Sequence, residues 1–473
     1  FGTRQTVAKN VFWLSFGQIG TRLLRASVII YAARALGAAE YGVFSYVLGL
    51  AAFFTIFSDI GINTILTKEA AMNPEKSRQI FATSFRIKII LLVFTALLII
   101  FVAPYFSKIE AAKPLLYFAA MLTIFDGIRE FAIAFFRAKE KMELEALVTT
   151  VTNVAITLFG FAILYFAPTA RSLAITYGLS AGTGTILGIF ILRKEFGSMN
   201  SAFRRELLAP ILRLAWPIAI TSLVGIFMLN MDVIMLGALR TAEDVGFYSA
   251  GQKIIQLLYT LSSVLAVSLY PVLAKFVGQK NNGKTKELME KGITASLLLA
   301  IPIVIGGVIL SGEIIKFLYG ESYLAAIPAL RVLFFTVLLI FPGYHLTNYI
   351  MAHDKQKKAV PIILIGSLGN VIFNVLLIPL YGTVGAAIAT LGALLLINGL
   401  SWRLAKKTNN FFILPHLKKI VSASALMGLF SLTLHWLGVH VLLNVALSAT
   451  LYFVTLHFLK ENSISEIKAV FKI

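Results

Sequence analysis

The sequence predicts an all-α polytopic membrane protein of about fourteen transmembrane helices, ordered as two parallel-repeat six-helix bundles followed by two C-terminal helices. Three observations predict it. Of 473 residues, 58% are hydrophobic and 14% charged, against roughly 45–50% and 25% in soluble chains. Apolar runs of about twenty residues recur along the whole chain, each long enough to cross a bilayer. Lys and Arg collect in every second gap between those runs, as the positive-inside rule requires.

The expected spans are 7–36, 41–71, 81–103, 114–138, 144–167, 172–193 and 211–239, then 243–275, 288–311, 324–351, 359–380, 383–404, 417–438 and 441–459. Several exceed the ~20 residues needed to cross, so tilt or kinks are expected, notably near Pro217 and Pro271. The basic gaps begin with Arg4 and Lys9, then Lys68, Lys76 and Arg78, then Arg137, Lys139 and Lys141. They continue through Arg193, Lys194, Arg204 and Arg205, then Lys275 to Lys286, Lys355 to Lys358, Lys406 to Lys419, and Lys460 to Lys472. The alternate gaps hold only a few, such as Lys108, Lys113, Arg171, Arg240 and Lys316. An even helix count with both termini cytoplasmic, in the cytoplasmic (inner or plasma) membrane, satisfies this pattern.

The net charge of +20 is thus a topology signal, with attraction to anionic membrane lipids as a secondary effect. No folded extramembrane domain is left to bind nucleic acid. The chain has no cysteine, which excludes disulfides, thiolate metal sites and cysteine nucleophiles. The chain starts at Phe1. Its first apolar run is expected to be an uncleaved spanning helix, being too long for a signal peptide and lacking a small-residue cleavage site.

An internal repeat organises the spans. Ala35-Leu36, Ala39-Glu40, Gly42 and Ser45 after the first are echoed by Ala238-Leu239, Ala242-Glu243, Gly246 and Ser249 after the seventh. Ala138, Glu140-Lys141 and Asn153-Val154 are echoed by Ala352, Asp354-Lys355 and Asn370-Val371. Both pairs lie six helices apart, so the halves share one orientation. The expected divisions are 1–200 and 201–410 for the bundles and 411–473 for the last two helices and tail. The link at about 194–210 reads as the hinge. Two bundles around a central cavity suit alternating access, and the loops are too short to hold a catalytic domain.

The residues then resemble a known family. Lys9-Asn10, Ala33-Arg34-Ala35-Leu36-Gly37 and Glu40-Tyr41-Gly42, with Asp59-Ile60-Gly61, Asp232, Leu236-Gly237 and Val245-Gly246-Phe247-Tyr248-Ser249, resemble the oligosaccharide-lipid flippases. These form the polysaccharide transporter family of the multidrug/oligosaccharidyl-lipid/polysaccharide exporter superfamily. The resemblance implies a V-shaped cavity and export of polyprenyl-pyrophosphate-linked glycans to the outer leaflet for O-antigen, capsule or similar polysaccharide. Polysaccharide-assembly proteins are then expected partners. The final pair resembles that of the lipid II flippase, where it helps hold the lipid tail.

Charges kept inside spans cost about 2.5–3.5 kcal/mol each on insertion scales, and each is a site hypothesis. Arg22 and Arg25 share one face of the first helix. A guanidinium fork matches a pyrophosphate bidentately, so they are candidates for holding it; the competing reading pairs them with Asp59 at the same depth. Asp126, Arg129 and Glu130 share a face of the fourth helix. They read either as an internal ion pair or, with two acids to one base, as a site for coupling H⁺ or Na⁺. Asp232 and Lys253 are expected at similar depth as an interhelix pair. Arg331 lies near an interface and snorkels, and His345 reads as a satisfied interior histidine. The glycines of 178–184 read as close-packing positions, and the Phe53-Phe54 and Phe135-Phe136 pairs as packing or lipid-facing residues. No resident cofactor, metal or enzymatic activity is expected. The alternatives are a lipid II-type flippase and a multidrug/cation antiporter, the latter disfavoured because the first helix carries two arginines and no acid.

Overall fold

The computed structural model describes residues 4–459, with side chains described outside 4–19, 21–23, 217, 220–227 and 414–416. Among these residues there is no strand, and fourteen helices are long enough to span a bilayer. They are α1 (4–36), α2 (38–72), α3 (Ser77–Leu97, prolonged by π-helical turns over Leu98–Val102), α4 (Leu116–Ala138), α5 (Met142–Phe166), α6 (Ala170–Ile191) and α7 (Leu208–Leu239). Then come α8 (Ala242–Gly278), α9 (Asn282–Ile309), α10 (Ile327–Ala352), α11 (356–381), α12 (383–406), α13 (Leu414–Trp436) and α14 (Val441–Phe458). Each coincides with an expected span. Length and hydropathy qualify ten uninterrupted helical stretches for crossing a membrane, two of which are pairs joined at a single glycine. The protein is a multi-pass membrane protein.

Those glycines are Gly37 (φ 74°) between α1 and α2 and Gly382 (φ 56°) between α11 and α12. Only a residue without Cβ takes such angles freely, and no loop residue is then needed. The echoed Glu140 and Asp354 also do one job. Both sit at positive φ, 56° and 53°, and the next amide, Lys141 or Lys355, donates back to the Phe136 or Ile350 carbonyl. That pattern satisfies carbonyls left over at a helix C-terminus.

The chain divides into two compact units, 1–246 and 247–473. Within the first, the other echoed motif makes a reciprocal contact. A Cβ on Gly42 would overlap the Ala242 carbonyl, and one on Gly246 would overlap the Ala38 carbonyl. Each glycine is therefore required by the partner copy's backbone. Glu40, from the same motif, accepts the Ala170 amide at 2.7 Å and so satisfies a first-turn donor of α6.

The core of the first unit is aromatic. Phe81 and Phe85 of α3 pack on Phe131, and Phe81 also on Phe135, of α4. Phe196, in the link between α6 and α7, closes the same cluster at 5.2 and 4.9 Å from the first two rings. The segment expected as the hinge, 194–210, is thus packed against α3. Arg86 stacks over Phe203 at 4.0 Å and bonds Asn200, while the Thr83 hydroxyl pairs with both the amide and carbonyl of Arg204. A segment fastened by aromatic packing and backbone hydrogen bonds belongs to its unit. Thr83→Val should release it: losing the two bonds costs about 1–3 kcal/mol. Tryptic cleavage at Arg204 and Arg205 in solubilised protein should then speed up about tenfold or more.

α2 and α8 differ in how far their helices run unbroken. α8 stays helical through Pro271, and the side chain of Pro217 lies outside the described residues. The abrupt interruption is in α2, where Ile60 (φ 40°) and Gly61 (φ 86°) both adopt left-handed angles. Gly61 has no room for a side chain, since a Cβ would sit 2.8 Å from the Ala215 carbonyl oxygen.

In the second unit, α14 docks on α9 through the Tyr452 hydroxyl, which donates to the Leu298 carbonyl at 2.6 Å. It is tied to α13 by Asn444, which both accepts from and donates to Ser431. His345 is buried and bonds Ser296 at 2.8 Å, as a satisfied interior histidine does. Gly292 leaves the space that its ring fills.

Candidate functional site

Among the described residues of the first unit, the charges near the sequence-predicted site residues of α1, α2 and α4 fall into two distinct groups. The larger is built on α4. Arg129 forks between two carboxylates, Nη1 to Asp126 at 3.0 Å and Nη2 to Glu130 at 2.9 Å. The i, i+3 spacing places Asp126 one turn away on the same face. Gly184 of α6 makes room first for the Thr152 hydroxyl, which a Cβ there would overlap, and then for this arginine, whose Cδ that Cβ would crowd at 3.1 Å. The Thr185 hydroxyl beside it donates to the Phe125 carbonyl at 2.6 Å and holds α6 on α4. The glycines of 178–184 thus admit a charged side chain as well as close packing.

Arg25 of α1 joins this group. Its guanidinium carbon lies 5.9 Å from the ring centre of Tyr177 on α6, and its charge acts on Asp126. Among the described residues no carboxylate forms an ion pair with it, and its side chain is exposed. The cluster therefore holds two guanidinium charges and two carboxylates, and among the described residues both carboxylates pair with Arg129 and neither with Arg25. The side chain of Arg22 lies outside the described residues.

The second group is built on Asp59, which the competing reading joined to the arginines of α1. Asp59 is taken by Lys88 of α3, with Nζ 2.8 Å from Oδ1. Counting residues from the helix ends places groups at equal depth and leaves their direction around the axis open; α3 turned out to face Asp59. Lys88 is 1% exposed and Asp59 33%. Removing one partner of a buried pair typically costs about 3–5 kcal/mol, with the low end fitting a carboxylate this accessible. Asp59 also accepts the Asn63 amide at 3.3 Å, across the break in α2. Lys88 is absent from the residues that the charge pattern singled out. It lies between Ile87 and Ile89, so the same rule for charges in apolar runs would have found it.

The remaining candidates fall outside these groups. Asp232 is buried in the first unit, and Lys253, in the second, donates to Gln256 at 3.3 Å. Arg331 donates to Ser311 at 2.9 Å. Phe54, Phe135 and Phe136 are buried packing residues.

Comparison with known proteins agrees with this fold. Residues 7–277 match the family described as polysaccharide biosynthesis protein, and residues 217–376 match the MatE family. A Haloferax volcanii protein named as a low-salt glycan biosynthesis flippase is 22% identical over 364 residues, 76% of this chain and 75% of its own. A Shigella flexneri protein named as an O-antigen transporter is 22% identical over 81% of this chain and 94% of its own. Among solved structures, the lipid II flippase MurJ in an inward closed conformation superposes with a TM-score of 0.76 at 18% identity, over 96% of this chain and 100% of that one. An inward-facing multidrug resistance MATE transporter reaches 0.65 at 15% identity, over 84% and 97%. At such identities the structures speak for the fold. The family match spans more than half of the chain and takes in both charge groups, so this protein belongs to the polysaccharide biosynthesis protein family, on the transporter fold of the multidrug/oligosaccharidyl-lipid/polysaccharide exporter superfamily.

Proposed function

We propose that the protein is a flippase that carries a polyprenyl-pyrophosphate-linked oligosaccharide from the cytoplasmic to the outer leaflet by alternating access, for assembly of a surface polysaccharide. It acts in the cytoplasmic membrane with both termini on the cytoplasmic side. The observation that carries the reading is Arg25: a guanidinium inside a spanning helix, exposed, beside Tyr177, and in no ion pair among the described residues. Holding such a charge in a spanning helix is costly, and an anionic substrate group offsets that cost when it arrives. Arg25, with Arg22 one turn earlier, takes the pyrophosphate; the planar fork binds two oxygens at once and stays charged at every working pH.

The α4 cluster supplies the second half of the cycle. Its two carboxylates repel the substrate's phosphates unless a cation neutralises one of them. A proton or Na⁺ on Asp126 or Glu130 therefore favours substrate at Arg25, and its loss favours release. This links ion and substrate through one set of charges. Relatives named for glycan flipping and O-antigen transport support the substrate class.

The test is reconstitution in liposomes with a fluorescent polyprenyl-pyrophosphate glycan, following its loss from one leaflet. Translocation that needs the pyrophosphate and fails with the matching neutral polyprenol glycoside supports the reading. Equal movement of both lipids, or transport of a cationic dye in place of either, overturns it.

A further inference from the structure

We infer that Lys88 is a positioning residue for translocation: acting through Asp59, it pins the break in α2. Three observations meet there. The break contains a non-glycine residue, Ile60, in the left-handed region at φ 40°, followed by Gly61 at φ 86°. A β-branched residue persists at such angles only where its surroundings over-determine it. The residue just before the break, Asp59, reaches forward to the Asn63 amide and sideways to Lys88, so one carboxylate ties both halves of α2 to α3. Finally, the Lys88 ammonium is buried and its ion partner is this carboxylate. Straightening α2 would carry Asp59 away and strand a charge inside the bundle.

The neighbouring charges do not substitute for this pair. On α3, Arg86 is spent on Asn200 and Phe203. On α4, Arg129 is held by Asp126 and Glu130. Neither is offered to Asp59 or Lys88 among the described residues. The pair is therefore the electrostatic element that sets whether α2 is bent. Its effect should fall on the rate of the conformational step, since neither partner lies in the cluster around Arg25. This rests on the flippase reading for its functional arm alone.

The absence of cysteine allows spin labels at Leu48→Cys and Lys68→Cys, on either side of the break, without further changes. A straight helix would separate these positions by roughly 30 Å along its axis. Lys88→Met should lengthen the label distance toward that value and lower the maximal flipping rate at least about tenfold, leaving the half-saturating substrate concentration within about twofold. Lys88→Arg should restore both readouts, because it replaces the charge. Asp59→Asn combined with Lys88→Met should recover more rate than Lys88→Met alone, since no unpaired charge is left. An unchanged label distance in well-folded Lys88→Met overturns the inference, as does a change confined to half-saturation. If the wild type moves no pyrophosphate lipid, the flippase reading fails while the distance measurement still decides the pin.

Discussion

One methyl group at Gly42 should prevent this protein from accumulating in a folded form. The Ala242 carbonyl occupies the space that a Cβ would need, and the Ala38 carbonyl does the same at Gly246. Overpacking a core with side-chain neighbours costs typically about 1–3 kcal/mol. Here the obstacle is backbone on both sides, which has no rotamer to change, so the cost should exceed that range. Against a net stability of roughly 5–15 kcal/mol for a folded domain, this is disabling. Gly42→Ala and Gly246→Ala should each give little monodisperse protein on size-exclusion chromatography after extraction. Gly278→Ala, with no atom within 4 Å of the new carbon, should behave as wild type. Normal yield and thermal stability of Gly42→Ala would show that the two segments separate at no cost.

The second large effect is expected at Arg25. Arg25→Ala should lower the flipping of a pyrophosphate-linked glycan about thirtyfold or more, as expected when one partner of a desolvated charge pair is truncated at a cost of roughly 2–5 kcal/mol. Arg25→Glu should abolish it, placing a third carboxylate beside Asp126 and Glu130. Arg25→Lys should recover only part, because an ammonium presents a point charge where the fork presents two parallel donors. Lys194→Ala, in the link outside both charge groups, should change the rate less than about twofold. Full activity in Arg25→Ala at normal expression would remove the pyrophosphate from this side chain.

How far the sequence reaches can be judged residue by residue. The fourteen helices were legible because bilayer thickness, apolar run length and alternation of basic loops are strong one-dimensional constraints. Asp126, Arg129 and Glu130 were legible as one cluster because they share a single helix, where spacing fixes direction. The partner of Asp59 was not. Which side chain meets it depends on the rotation of α2 and α3 about their axes, and no local pattern encodes that. Lys88 was legible as a charge in an apolar run, though not as the residue facing Asp59. The link at 194–210 looked free because it is polar and long. Its anchoring rests on Phe196 and Phe203, two aromatic residues whose targets lie more than a hundred positions earlier.

The paired glycines carry a consequence for the history of such a chain. Where a duplicated motif has come to rest against its own copy, neither copy is spare. A later mutation in one is tested at once by the other, so the freedom to diverge that duplication normally grants is withheld at this spot.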